Sequence, residues 1–186
     1  MSRRALIVID IQNDYFPGGR WTLSQMDRAA DNAAALIAAM REAGETVIHI
    51  RHEFPTSDAP FFTPGSAGAE IHAKASPKEG EAIVLKHHIN SYRDTHLKQI
   101  LDERGVNEVV ICGAMSHMCV DAATRASNDF GYQCTVVHDA CASRDLEFEG
   151  VEVPAAQAHA AFMAALRFAY ARVISTREWL DEQHPR

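Results

Sequence analysis

The chain has 186 residues, 47% of them hydrophobic and 23% charged, and a formal net charge of −7. That suffices for one sizeable core and is short for two, so a single domain over 1–186 is expected. The acidic balance and the lack of any Lys/Arg block argue against a nucleic-acid or membrane-surface partner and leave a small molecule as the expected one.

The basic start, Met1-Ser2-Arg3-Arg4, precedes the apolar run Ala5-Leu6-Ile7-Val8-Ile9. The run stops at Asp10, too short for the apolar region of a signal peptide, and no stretch approaches the ~20 apolar residues of a membrane helix. The expected location is cytoplasmic. The same run reads as a strand buried on both faces. Pro17-Gly18-Gly19 marks a loop. Asp27 to Ala43 reads as an Ala-rich helix with Gly44 at its C-terminal end. Thr46 to Ile50 is a second strand. Residues 53–80, with four Pro and three Gly, read as a long irregular excursion, a kind of segment that is usually functional or mobile.

Ala82 to Leu85 is a third strand and delivers Lys86. Thr95 to Arg104 reads as a helix with Asp94 as N-cap, closed by Gly105. Val106 to Cys112 is a fourth strand, followed by Gly113. Cys119 to Phe130 reads as a helix stopped by Gly131, and Gln133 to Val137 as a fifth strand. Pro154 to Tyr170 is a long Ala-rich helix with Pro at its start. Val173 to Ser175 is a sixth strand, and Thr176 to Leu180 a final turn. Strands alternating with helices in this way predict a single-domain three-layer α/β/α sandwich, with a mostly parallel, about six-stranded, Rossmann-like sheet.

In such folds ligands bind beyond the carboxyl ends of the strands. Asp10, Lys86 and the turn from Gly113 to Cys119 all follow strand ends. None of the four cysteines (112, 119, 134, 141) forms a Cys-x-x-Cys pair, so neither a zinc ribbon nor a thioredoxin motif is visible. Cys119 stands where a turn enters a helix. Free N–H groups and the helix dipole there favour a thiolate and suit an oxyanion. The alternative is a small core residue. Asp10 needs a cation, a proton or N–H donors if buried, or else caps the next loop. Lys86 is either its partner or a surface residue at a strand tip.

Three segments carry a resemblance: Val8-Ile9-Asp10-Ile11-Gln12-Asn13-Asp14-Tyr15-Phe16, Leu85-Lys86-His87-His88-Ile89-Asn90-Ser91-Tyr92, and Cys112 to Ala126 through Gly113-Ala114-Met115-Ser116-His117-Met118-Cys119. With Val137-His138-Asp139-Ala140-Cys141 they resemble, over nearly the whole chain, the isochorismatase-like cysteine hydrolase superfamily. The resemblance implies an Asp10–Lys86–Cys119 triad, with Asp10 accepting the thiol proton and Lys86 holding Asp10. It also implies a cis peptide between Ala114 and Met115, with the Met115 and Cys119 N–H groups as oxyanion hole. It further implies a homodimer or homotetramer, to which the helix from Pro154 would lend an apolar face.

Members similar to nicotinamidases carry Asp-x-His after the second strand, plus a further His, to hold a metal. Here Ile50-Arg51-His52-Glu53-Phe54 puts His52 at the Asp position and Phe54 at the His position. His52, Glu53 and His72 would be a mixed donor set without clear geometry. No metal and no cofactor are expected. The presence of Cys119 points to C–N bonds in amide, carbamoyl or ureido compounds. The alternatives are vinyl-ether hydrolysis with Asp10 as acid and a catalytically silent binding protein. Phe16, Trp21, Tyr92 and His117 are candidates to line the substrate pocket, the first three being ordinary core residues by default and His117 an equally good helix cap.

Overall fold

The computed structural model describes residues 3–183; Met1 and Ser2, from the basic start, lie outside the described residues. The strands are β1 (Arg4–Ile9), β2 (Thr46–His52), β3 (Ala82–Lys86), β4 (Glu108–Ala114), β5 (Gln133–Ala142), β6 (Leu146–Phe148), β7 (Val151–Val153) and β8 (Arg172–Ile174). The helices are α1 (Met26–Glu42), α2 (Leu97–Glu103), α3 (Asp121–Asp129), α4 (Ala155–Ala169) and α5 (Thr176–Gln183). Six strands form one sheet in the order β3-β2-β1-β4-β5-β8, and every neighbouring pair is parallel.

The apolar runs explain the layers. Successive side chains of a strand face opposite sides. In β1, Leu6 and Val8 pack with Leu36, Ile37, Val110 and Trp179, on the side covered by α1 and α5. Ala5, Ile7 and Ile9 pack with Leu101, Ile111, Ala123 and Leu166, on the side of α2, α3 and α4. The α1 stripe of Ala29, Ala33, Leu36, Ile37 and Met40 is buried at helical spacing. Each fully buried Leu, Ile or Met stabilises this arrangement by roughly 1.5–3 kcal/mol.

From β1 the chain builds outward one way through β2 and β3, and from β4 the other way through β5 and β8. The crevice between β1 and β4 is thus the switch point of the sheet, where such folds open a site. Gly113 lets the two strands close up there. Its φ is +120°, and a Cβ would stand 1.9 Å from Ile9 O. Gly113→Ala is therefore expected to destabilise the fold by about 3 kcal/mol or more, read as a lowered urea midpoint.

Four expectations need correction. Asp94 is not the N-cap of α2. It has φ +55° and pairs with His88, and the helix starts at Leu97 after His96. The helix expected from Cys119 begins earlier, as a π-helical turn over Ser116–Val120 that runs into α3. The fifth strand continues to Ala142, past a register shift against β4. The antiparallel hairpin β6–β7 follows it, and α5 is a full helix rather than a turn.

Candidate active site

Asp10 is the first residue beyond β1, at φ +50°, with its N–H bonded to Ile50 O on β2. Its carboxylate is fully buried and meets Lys86 Nζ, from the end of β3, at 2.9 Å. The ammonium also donates to Ile89 O at 3.1 Å. Neither Asp10 oxygen has a well-directed hydrogen bond. The pair therefore balances charge while the carboxylate keeps acceptor capacity, as a base requires. Burial alone would lower the Lys86 pKa, but attraction to Asp10 and Cys119 raises it, so the ammonium stays charged.

Cys119 lies inside the π-helical turn and is 1% exposed. The Ala114–Met115 peptide just before the turn is cis, at the bond the resemblance indicates. Met115 O accepts from Met118 N and Val120 N, which winds the turn. The thiol departs from expectation. Burial, with Asp10 adding to it, pushes its pKa up to about 12 despite Lys86. Desolvation outweighs the helix terminus here, so the resting group is a thiol and attack needs a base.

The structure brings a fourth side chain to this cluster. One His52 ring nitrogen, one Asp10 oxygen and Cys119 Sγ all lie within 4.8 Å of one another. His52 Nδ1 is 4.0 Å from Asp10 Oδ2. Gln12, fully buried, clamps the His52 backbone from both sides. It donates to His52 O at 2.8 Å and accepts from His52 N at 2.7 Å, and it also donates to Ala69 O at 2.7 Å. Both residues sat inside readable motifs, but the clamp spans 40 positions and has no local signal.

The long excursion over 53–80 is tied down. Asp14 accepts from Phe62 N at 2.7 Å and from Arg20 N at 3.2 Å, and Phe61, Phe62, Ala69 and Ala75 are buried. The donor trio His52, Glu53 and His72 is not assembled. Glu53 pairs with Arg51 and accepts from Gly65 N, and His72 stacks on Phe16 at 3.6 Å. A metal of the nicotinamidase kind does not fit these residues. Around Asp10, His52 and Cys119 the Lys86 ammonium already supplies the positive charge.

Of the pocket candidates, Phe16 faces a shallow cavity with Asn13 and His72. Trp21 is stacked on Phe61 at 4.7 Å, under the Arg144 guanidinium at 4.0 Å. Tyr92 meets Ser127 Oγ at 2.7 Å and packs on Phe130, and His117 Nδ1 meets Ser143 Oγ at 2.8 Å. His52 instead opens on a different cavity, of about 380 Å³, walled by Phe54, His87, His88, Ile89 and Ala122 among others. None of the four candidates lines it.

Burial holds the His52 pKa down at about 4 from an ordinary 6.5, with Lys86, His87 and His88 adding to this and Asp10 opposing it. Between those values the unfolded chain binds the proton and the folded chain does not. Stability is therefore full above pH ~6.5 and falls as pH drops toward about 4, by roughly 3 kcal/mol. Urea midpoints measured across that window should show the loss, and His52→Phe should lessen it, with His49, His72, His117 and His159, also held down by burial, keeping the remainder.

A family model described as the isochorismatase domain matches residues 4–178. The uncharacterized isochorismatase family protein YddQ of Bacillus subtilis (strain 168) is 48% identical over 176 residues, 95% of this chain and 98% of its own. The maleamate amidohydrolase of Pseudomonas putida (strain KT2440) is 27% identical over 154 residues, 75% of this chain and 72% of its own. A crystal structure described as a putative isochorismatase hydrolase from Oleispira antarctica superposes with a TM-score of 0.93 at 55% identity, covering 96% of each chain.

Proposed function

The chain belongs to the isochorismatase family of hydrolases, and we propose that it is a cysteine hydrolase of a small non-peptide amide, carbamoyl or ureido compound. The observation that carries this reading is the buried Asp10–Lys86 pair, 2.9 Å across, with the Cys119 sulfur within 4.8 Å of Asp10. An amidohydrolase among the relatives supports the C–N bond as the target.

In the proposed cycle Asp10 takes the proton of the Cys119 thiol as Sγ attacks the substrate carbonyl. The resting thiol, held up at about 12, makes that transfer necessary. Lys86 holds Asp10 and steadies the thiolate as it forms. The Met115 and Cys119 N–H groups receive the oxyanion, and losing one such donor costs roughly 10²–10³ in rate. Asp10 returns the proton to the leaving nitrogen, the C–N bond breaks, and a thioester remains. Water then attacks the thioester with Asp10 as base.

No helix among the described residues is long and apolar enough to cross a membrane; a cytoplasmic location belongs to the proposal. So does assembly with a second copy as a homodimer or homotetramer. The outer face of α4, with Phe168 92% exposed, is the candidate contact, and a clean monomer in sedimentation would remove that part. The enzymatic reading is tested by screening small amides and ureides for ammonia release beside a Cys119→Ala control. Release by the wild type alone supports it. Cleavage of a vinyl ether that survives Cys119→Ala would replace it with acid catalysis by Asp10.

A further inference from the structure

His52 is 2% exposed, yet its ring has no ordinary hydrogen-bonding task. Nε2 is buried without a partner, and Nδ1 stands 4.0 Å from Asp10 Oδ2, beyond hydrogen-bond length. Most buried polar groups in native structures are paired, because leaving one unpaired is costly. The chain nonetheless fixes this residue. Gln12 clamps its backbone at 2.7 and 2.8 Å, and the ring packs 4.8 Å from Phe54 and 6.0 Å from Phe62, centroid to centroid. The imidazole is thus held in place while Nε2 stays unpaired and Nδ1 has only the distant Asp10 carboxylate.

Those nitrogens adjoin the reacting groups. A ring nitrogen, an Asp10 oxygen and Cys119 Sγ lie within 4.8 Å of one another. One water about 2.8 Å from both His52 Nδ1 and Asp10 Oδ2 spans their 4.0 Å gap. His52 also lines a cavity with room for water.

We propose that His52 is a fourth catalytic residue, which holds the hydrolytic water against Asp10 for breakdown of the thioester on Cys119. The role rests on the cysteine-hydrolase reading above. The water oxygen bonds to the acyl carbon and the C–S bond breaks. One water proton passes to Asp10 and on to the departing sulfur, restoring the thiol. The imidazole hydrogen-bonds to the water and ends with the protons it began with. Its burial keeps it neutral near pH 7, so a nitrogen lone pair is available. During acylation the leaving nitrogen occupies this place, and water enters after it departs.

The test uses p-nitrophenyl acetate as an acylating probe of the full chain. His52→Phe removes both nitrogens and keeps a ring among Phe54 and Phe62. His52→Gln restores one polar group and serves if the Phe variant does not fold. In His52→Phe the first burst of p-nitrophenolate should stay near one per chain, and Cys119 should carry an acetyl group. Steady turnover should fall at least tenfold, with partial recovery in His52→Gln. Turnover within twofold of wild type would overturn the role. So would a burst rate that falls in step with turnover, or activity that a chelator abolishes and Zn²⁺ restores, which would make His52 a metal ligand. A wild-type chain that is never acetylated on Cys119 would instead overturn the cysteine-hydrolase reading, and the His52 role with it.

Discussion

Cys119→Ala is expected to lower kcat/KM on an ammonia-releasing substrate by at least about 10³-fold while leaving the fold intact. The substitution removes one sulfur from a buried site and leaves the Asp10–Lys86 pair at 2.9 Å untouched. The oxyanion donors and the binding surface remain, so residual catalysis over water persists, but no covalent intermediate can form. The measurement is ammonia release by both proteins at substrate concentrations well below KM. Cys119→Ser should recover little, because a buried hydroxyl is harder still to deprotonate than a thiol held at about 12. A loss smaller than tenfold in Cys119→Ala would mean that the thiol is not the nucleophile.

Lys86→Met is the second large effect, and it acts on stability as well as rate. Asp10 is 0% exposed and Lys86 1%, so removing the ammonium strands a carboxylate in the interior. Breaking a buried pair in this way costs roughly 3–5 kcal/mol. The stranded Asp10 would take up a proton to escape, and a protonated Asp10 cannot accept one from Cys119. The unfolding free energy from urea titration at pH 7 should fall by that amount, and ammonia release should drop with it. Asp10→Asn alone strands the ammonium and should cost a similar amount. The double variant, Asp10→Asn with Lys86→Met, removes both charges and should regain most of the stability. It should regain none of the activity. Additive stability losses in the double variant would show that the two side chains are not a pair.

Much of the fold was legible because buried parallel strands are written as unbroken apolar runs. Ala5 to Ile9 and Val109 to Cys112 are such runs, and both lie at the centre of the sheet. The fifth strand was read short because His138 and Asp139 interrupt its apolar pattern. They are only half-buried, beside the register shift that carries the chain on to Ala142. The β6–β7 hairpin has exposed side chains at most positions, so no buried face marks it in sequence. Asp94 suits an N-cap by residue type, but its left-handed backbone belongs to a turn before the helix.

The site divides in the same way. Asp10, Lys86 and the turn to Cys119 follow strand ends, so topology alone converges them on one edge. The state of the thiol is not legible in the sequence. A helix terminus can be read from sequence, but the burial that outweighs it depends on what covers the site. Cys119 shares its core cluster with Ile9, Ile50, Val84 and Leu97, which come from four separate elements. His52 was visible only as a weak metal donor. Its place beside Asp10 depends on Gln12, forty residues earlier.

The most direct measurement is the mass of the protein quenched in acid while it turns over an amide that releases ammonia. A species heavier by the acyl fragment, mapped to the peptide carrying Cys119 and absent from Cys119→Ala, is the predicted result. Turnover with no adduct, or an adduct on Cys112, Cys134 or Cys141 instead, would contradict it.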